Sequence, residues 1–530
     1  MSESTVAPAS AHVKVSSKAW AILAAMGLGA FIAQMFTNVV SPALPMMKTD
    51  LNLSLSATTW IMTSYSLAFG TALVAGGRMG DLVGEVKMII SGYVIFGVGV
   101  VMSAMAMSGG LLIAGRTIQG IGIGLSAPAT LSIVVNSFPL LRRGFAVGIW
   151  GFAHGFGIFA GPLLAGWMVG VVSWKWIFWM AVPFTIIVIF VTLAATRGYK
   201  SVLAKGKYDW IGLIVGGAGI TLVTYGLQNS SVGWGVPATW GTLLAGLVLL
   251  IVFGFVETRI QHPLVDFSLW KERLFSGGFF AESAVGFVYI PLFTFLGSIF
   301  FISVLGFSPL KAGWVMSIMT VICMVFEPPA GRVVDKIGPG IPITFSLVMQ
   351  AVALFWFSRF TPSTTVQEMV IPLLLMGIGV GIALPACNTA GMSAVDSERA
   401  GMGSGLMQMT FNIPGALGTA LVTSIVGTVA VSSVVSQASG TPYVDQAKQY
   451  TSMLNSGNDE GAKAIINDPS LPAGVGQKIQ EAALAAQSHG ISLGMMALAF
   501  VALAGEIFAW FVIGRRRTPD HIQVTEAAAV

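Results

Sequence analysis

The sequence predicts an all-α membrane protein of fourteen transmembrane helices, built as two six-helix bundles with two further helices inserted between them. Three observations carry this prediction. The 530 residues are 55% hydrophobic and only 9% charged, at a mean hydropathy of +0.83, whereas a soluble domain carries about 25% charged residues. Fourteen apolar runs approach the roughly 20 residues needed to cross a hydrocarbon core about 30 Å thick. A short glycine- and arginine-containing pattern recurs in the two halves of the chain. Soluble enzymes, nucleic-acid binders and disordered chains are excluded by this composition. Cys323 and Cys387 both lie inside apolar runs, so no disulfide framework is implied.

Residues 1–18 read as a cytoplasmic tail carrying Lys14 and Lys18. Runs near 19–46, 57–78, 87–107, 111–136, 144–170 and 175–197 form a first bundle over 19–200. The first run is too long for a signal peptide and is followed by no small-residue cleavage site. Runs near 210–228 and 239–258 form the inserted pair, within 208–262. Runs near 276–305, 309–331, 341–360, 368–392, 400–432 and 490–514 form a second bundle over 275–514, followed by a cytoplasmic tail at 515–530. Lysine and arginine mark cytoplasmic loops. Arg142, Arg143, Arg197, Lys200, Lys205, Lys207, Arg332 and Lys336 among others fall on one side together with both termini, which sets an even number of crossings and accounts for the net charge of +5. The one long connection, 433–489, then lies outside the cell. Its helical patterns at Asp445–Leu454 and Gln477–Ala486 read as a small cap.

The halves are related. Gly77-Arg78-Met79-Gly80-Asp81-Leu82-Val83-Gly84 recurs as Gly331-Arg332-Val333-Val334-Asp335-Lys336-Ile337-Gly338, at an offset of 254. Gly120-x-Gly122-x-Gly124 with Pro128 recurs as Gly377-x-Gly379-x-Gly381 with Pro385, and Gly144 and Gly148 match Gly401 and Gly405. Paired repeats with a pathway between them are a common plan of secondary transporters.

These residues resemble the major facilitator superfamily, and within it the branch of 14-span drug:proton antiporters. Gly77–Lys87 resembles the loop motif between the second and third spans. Arg116-Thr117-Ile118-Gln119-Gly120 resembles the fourth-span motif, and Gly161-Pro162-Leu163-Leu164-Ala165-Gly166 the fifth-span motif of antiporters. Trp174-Lys175-Trp176-Ile177-Phe178 with Pro183, and Gly306–Gly313, resemble motifs of the branch. The resemblance implies a major facilitator fold and export of amphiphilic drugs or toxic compounds by alternating access, coupled to protons. It implies a monomer in a bacterial plasma membrane, contacting lipid, a small-molecule substrate and protons, with no cofactor, metal, nucleic acid or enzymatic activity. Phe36 stands where many relatives carry a first-span aspartate, Val182 replaces an asparagine, and the thirteenth span offers the amides Gln408 and Asn412. A cavity with few acids suits neutral, zwitterionic, anionic or singly charged amphiphiles better than dications. The missing first-span acid also leaves open a dedicated exporter of a metabolite or lipid-like molecule. A proton-symporting importer and a non-transporting scaffold rank below these.

The candidate residues follow from where polarity is costly. Arg116 lies mid-span, where a cation costs about 2.5–3.5 kcal/mol on insertion scales. It either takes part in proton coupling or serves as a structural arginine bonded to carbonyls. Glu282 and Glu327 are acids within apolar runs, the kind of group a proton relay uses, and Glu327 precedes Pro328-Pro329, where a helix break is expected. Arg78 with Asp81, and Arg332 with Asp335, sit at turns where an aspartate accepts bonds from a helix N-terminus or pairs with arginine. With Gly77 and Gly84 they read as gating latches. Gly161, Pro162 and Gly166 read as a bendable, closely packed segment between the halves. Gln34, Asn38, Tyr65, Gln119, Trp150, His154, Tyr289, Asn388, Gln408 and Asn412 are mid-span polar and aromatic residues expected to line a cavity. No phosphate-binding Gly-x-x-x-x-Gly-Lys-(Ser/Thr) loop is present, so ATP-driven pumping is not indicated.

Overall fold

A computed structural model describes residues 15–513 apart from 41–42, 54, 230–236, 262, 439–442, 456–458, 469–470 and 473. The described chain is helical and loop, without strands, as a backbone in lipid must satisfy its own amides. The first bundle holds α1 (Ser17–Asn38), with a short α2 (Leu44–Asp50) after it, then α3 (Leu55–Val83), α4 (Glu85–Ala104), α5 (Gly109–Ser137), α6 (Arg143–Val171) and α7 (Lys175–Ala195). The inserted pair is α8 (Trp210–Asn229) and α9 (Pro237–Glu257). The second bundle holds α10 (Arg273–Thr294), α11 (Pro309–Ile337), α12 (Gly340–Phe357), α13 (Val366–Ser393), α14 (Ala400–Ala438) and, after the short α15 (Val444–Asn455) and α16 (Asp459–Ile466), α17 (Val475–Val512). Thirteen helices among the described residues are long and apolar enough to cross a membrane. The remaining predicted span, α3, has 29 residues but carries a row of hydroxyls, including Thr58, Ser64, Ser66 and Thr71. The membrane face where α1 begins and α17 ends is called the terminal face below.

Local chemistry sets the helix ends. Ser16, Ser108 and Ser308 cap α1, α5 and α11 through backbone N–H groups three residues on, as short hydroxyl side chains do best. The repeated motif closes on a glycine for a backbone reason. Gly84 and Gly338 hold φ at 106° and 82°, a region side-chain-bearing residues avoid, so each turns the chain sharply out of α3 or α11.

Three predicted boundaries move. The first span ends at Asn38 and the chain restarts as α2, rather than running to 46. α11 continues through Pro328 and Pro329 without a break, so Glu327 lies deep in a helix and not at its edge. The connection 433–489 is mostly helix. α14 runs 39 residues and α17 runs 38, and the pattern at Gln477–Ala486 is the start of α17. Ala430, Val434, Ala447, Tyr450, Ala462, Ile479 and Ala483 form a small core of its own there, joining both long helices to α15 and α16. Of the predicted tails, residues 1–14 and 514–530 lie outside the described residues, and Lys18 already belongs to α1.

The inserted pair packs where the two bundles meet. Thr221 on α8 bonds Thr71 on α3 at 2.8 Å, and Tyr225 stacks on Trp60. Val223, Leu227 and Leu243 pack on Ala420 of α14. The outer side of α9 shows Leu244, Leu247, Val248, Ile251 and Phe255, a surface that only lipid would cover without penalty.

Candidate functional site

Two matched contacts hold the bundles together at the terminal face. Asp81, at the end of α3, accepts from the N–H groups of Gly401 (2.6 Å) and Met402 (2.9 Å) at the start of α14. Asp335, at the end of α11, accepts from Gly144 (2.7 Å) and Phe145 (2.9 Å) at the start of α6. Each carboxylate thus meets two free N–H groups at the positive end of a helix in the opposite bundle. The glycines are needed for this approach, since a Cβ on Gly144 would stand 2.6 Å from the Gly331 carbonyl oxygen. Arg332 lies over the Phe145 ring at 4.1 Å, while Arg78 is buried beside Asp81. Further along, the Ser404 hydroxyl of α14 donates to the Pro128 carbonyl of α5 at 2.7 Å. The terminal face is therefore closed.

Beyond these contacts the bundles part around a cavity of about 490 Å³, within the range that holds drug-sized ligands. Its second-bundle wall carries both carboxyls. Glu282 on α10 accepts from Asn388 Nδ2 at 2.9 Å, and its other oxygen has no protein partner. Glu327 on α11 receives only the Cys323 thiol at 3.7 Å, and its Oε2 is unpartnered, pressed against the bare Cα of Gly151 on α6. Both side chains are buried. The first-bundle wall is neutral: His154 stacks on Trp150 with ring centroids 5.5 Å apart and hydrogen-bonds the Gln34 amide. Tyr289, Asn388, Gln408 and Asn412 complete the expected lining.

Several expected residues sit elsewhere. Arg116 lies outside the cavity. It is buried and donates to the carbonyls of Phe36 (3.3 Å), Thr37 (3.5 Å) and Ile61 (3.4 Å) and to Gln119 Oε1 (2.8 Å), beneath the Tyr65 ring at 4.1 Å. No carboxylate pairs with it among the described residues. Because α1 stops at Asn38, its last carbonyls need donors, and the guanidinium supplies them. Tyr65 and Gln119 are likewise behind the wall. Tyr65 meets the wall from behind, by bonding Thr37, which does face the cavity, at 3.0 Å and by stacking on Phe69. Gln119 spends its amide on Gly99 and Ser103. The side chains of Asn38, Pro162 and Gly166 lie outside the described residues. Gly161 faces Met35 of α1 within its own bundle. The part of α6 that meets the other bundle is its opposite end, Gly144 to Gly155. Phe69, Thr320, Cys323 and Phe411 also line the cavity but had no mark in the sequence, because a lone ring, thiol or hydroxyl in an apolar helix does not declare whether it faces lumen or lipid.

Two helical repeats enclosing a chamber at their interface, with one mouth shut by two matched aspartate–helix contacts, define a multi-pass carrier of small molecules and not an enzyme. Residues 26–419 match the Major Facilitator Superfamily, and the chain belongs to that family. It is 27% identical to the Multidrug export protein EmrB of Escherichia coli (strain K12), over 76% of this chain and 79% of that one. It is 26% identical to the Tetracenomycin C resistance and export protein of Streptomyces glaucescens, over 78% of this chain and 77% of that one. Among solved structures, the human organic anion transporter MFSD10 superposes with a TM-score of 0.58 at 12% identity, covering 93% of this chain and 99% of that one. The proton:xylose symporter XylE gives 0.58 at 14%, covering 94% and 96%. At these identities the two structures establish the shared fold alone.

Proposed function

We propose that the chain is a proton-coupled antiporter that exports amphiphilic small molecules from a bacterial cytoplasm by alternating access, with the terminal face cytoplasmic. The observation that carries this reading is the position of Glu327. Its carboxyl lies where α6 and α11 close on each other, without a counter-ion among the described residues. A buried unpaired carboxylate is costly, so the closed terminal face holds Glu327 with its proton. Parting α6 from α11 wets the carboxyl and releases that proton to the cytoplasm, while the same opening admits substrate. Glu282 with Asn388 offers acceptors for an N–H or O–H group of the substrate. The aromatic remainder of the wall suits a flat or branched apolar body. The exporters among its relatives support the direction, and the neutral first-bundle wall favours substrates of low charge.

Proteoliposomes with an imposed pH gradient test this directly, using cationic, neutral and anionic amphiphiles in turn. Substrate-dependent proton movement with at least one class is expected. If no class elicits proton movement although substrate is transported, coupling is refuted.

A further inference from the structure

The transport cavity does not account for a second pair of acids, at the base of the inserted helices. Asp209 precedes α8 and caps it, with Oδ1 accepting from Gly212 N at 2.9 Å. Glu257 is the last residue of α9, 2% exposed, with Oε2 accepting from Val265 N at 3.1 Å. The remaining oxygens, Asp209 Oδ2 and Glu257 Oε1, are buried and have no donor. Each lies 2.2 Å from the point that a Cβ on Gly212 would take, so the two are crowded together over its bare Cα, where no other residue would leave them room. Two acceptors in that position need one hydrogen between them, and among the described residues no N–H or O–H bonds either oxygen.

The geometry points to a proton shared by Asp209 and Glu257, a protonation site separate from the transport cavity that sets how firmly the terminal face is latched. The connection to the latch is short. Val265, held by Glu257, is followed by Asp266, which pairs with Arg399 at 2.7 Å. Arg399 directly precedes α14, whose first N–H groups hold Asp81. Tyr208, next to Asp209, donates to the Ala75 carbonyl of α3 at 3.4 Å, so α3 is tied to the same base. With the proton in place, α8 and α9 are pinned together and the segment leading to α14 is fixed. Removing it leaves two like charges face to face, which repel and loosen that segment. Raising the pH on the terminal side therefore favours opening.

Among the described residues the charged and titratable groups around the pair are few; His262, on the same connection, lies outside them. Tyr208 stands beside Asp209, Arg78 of α3 lies between Tyr208 and Asp266, and Asp81 adjoins Arg78. Arg399 is engaged by Asp266, Arg259 lies over Phe255, and Lys205 and Lys207 are exposed. None of these bonds the two facing oxygens.

This inference rests on the latch role of Asp81, and its test separates the two. Spin labels on exposed terminal-face positions of the two bundles would report opening in reconstituted protein across a pH series. Infrared difference spectra of the same samples would report protonated carboxyls. The wild type is expected to open as pH rises and to lose, in step, one protonated-carboxyl band that Glu327→Gln and Glu282→Gln both retain. Glu257→Gln supplies an N–H that does not titrate, and Asp209→Asn does the same while keeping the α8 cap. Each should stay latched over that pH range, without the band. A face that opens with unchanged pH dependence in both variants, or a band that persists in both, overturns the shared proton alone. A face that opens under no condition overturns the latch as well.

Discussion

Glu327 and Glu282 share a wall but are held differently, so their substitutions should fail differently. Glu327→Gln keeps the side-chain shape and should abolish gradient-driven flux while substrate exchange without a gradient continues. Wild-type rates of driven flux in this variant would remove Glu327 from coupling. Glu282→Gln should weaken substrate binding and driven flux together while sparing the fold, read by flux and thermal unfolding on one preparation. Arg116 belongs to another category. It satisfies two carbonyls at the end of α1 and one in α3, and each buried acceptor left bare costs about 1–3 kcal/mol. Arg116→Lys should therefore lower the unfolding temperature without moving the pH profile of transport. A moved profile at unchanged stability would return Arg116 to the coupling machinery. From sequence, the cost of a mid-span cation was plain, but not its partners, because these depended on where α1 ends.

Among elements, the latches were the most legible feature. A motif repeated at one offset, ending each time in glycine, announced two equivalent turns, and the structure gives each aspartate an equivalent helix N-terminus. What the repeat could not announce was that each aspartate reaches across to the other bundle, since spacing along a chain says nothing of its partner in space. Each charge–helix contact is worth up to about 2 kcal/mol in a partly buried setting. Asp81→Asn or Asp335→Asn should then shift the balance toward an open terminal face by roughly tenfold, the equivalent of about 1.4 kcal/mol. Distance distributions between labelled bundles would register that shift. Unaltered distributions in both variants would deny the latches a gating role. In the fifth span, Gly161 and the neighbouring Gly157 bed against α1, while glycines nearer the start of α6 meet α11, since small residues permit close approach to any neighbour.

For the whole molecule, the two-bundle plan and its inserted pair followed from hydropathy, charge bias and the internal repeat, whereas the shape of the cavity did not. An exchanger moving one proton per neutral substrate should sustain about a tenfold substrate gradient for each unit of pH difference, since one unit is worth 1.36 kcal/mol. In sealed vesicles, accumulation that ignores the gradient would exclude this coupling. The long helices on the far side have a practical consequence as well. At 39 residues, α14 extends about 58 Å at 1.5 Å per residue, nearly twice the hydrocarbon thickness of about 30 Å. Its outer end and that of α17 therefore raise a rigid knob clear of any detergent belt, which would act as a built-in fiducial for aligning single-particle images and an accessible epitope for antibody fragments.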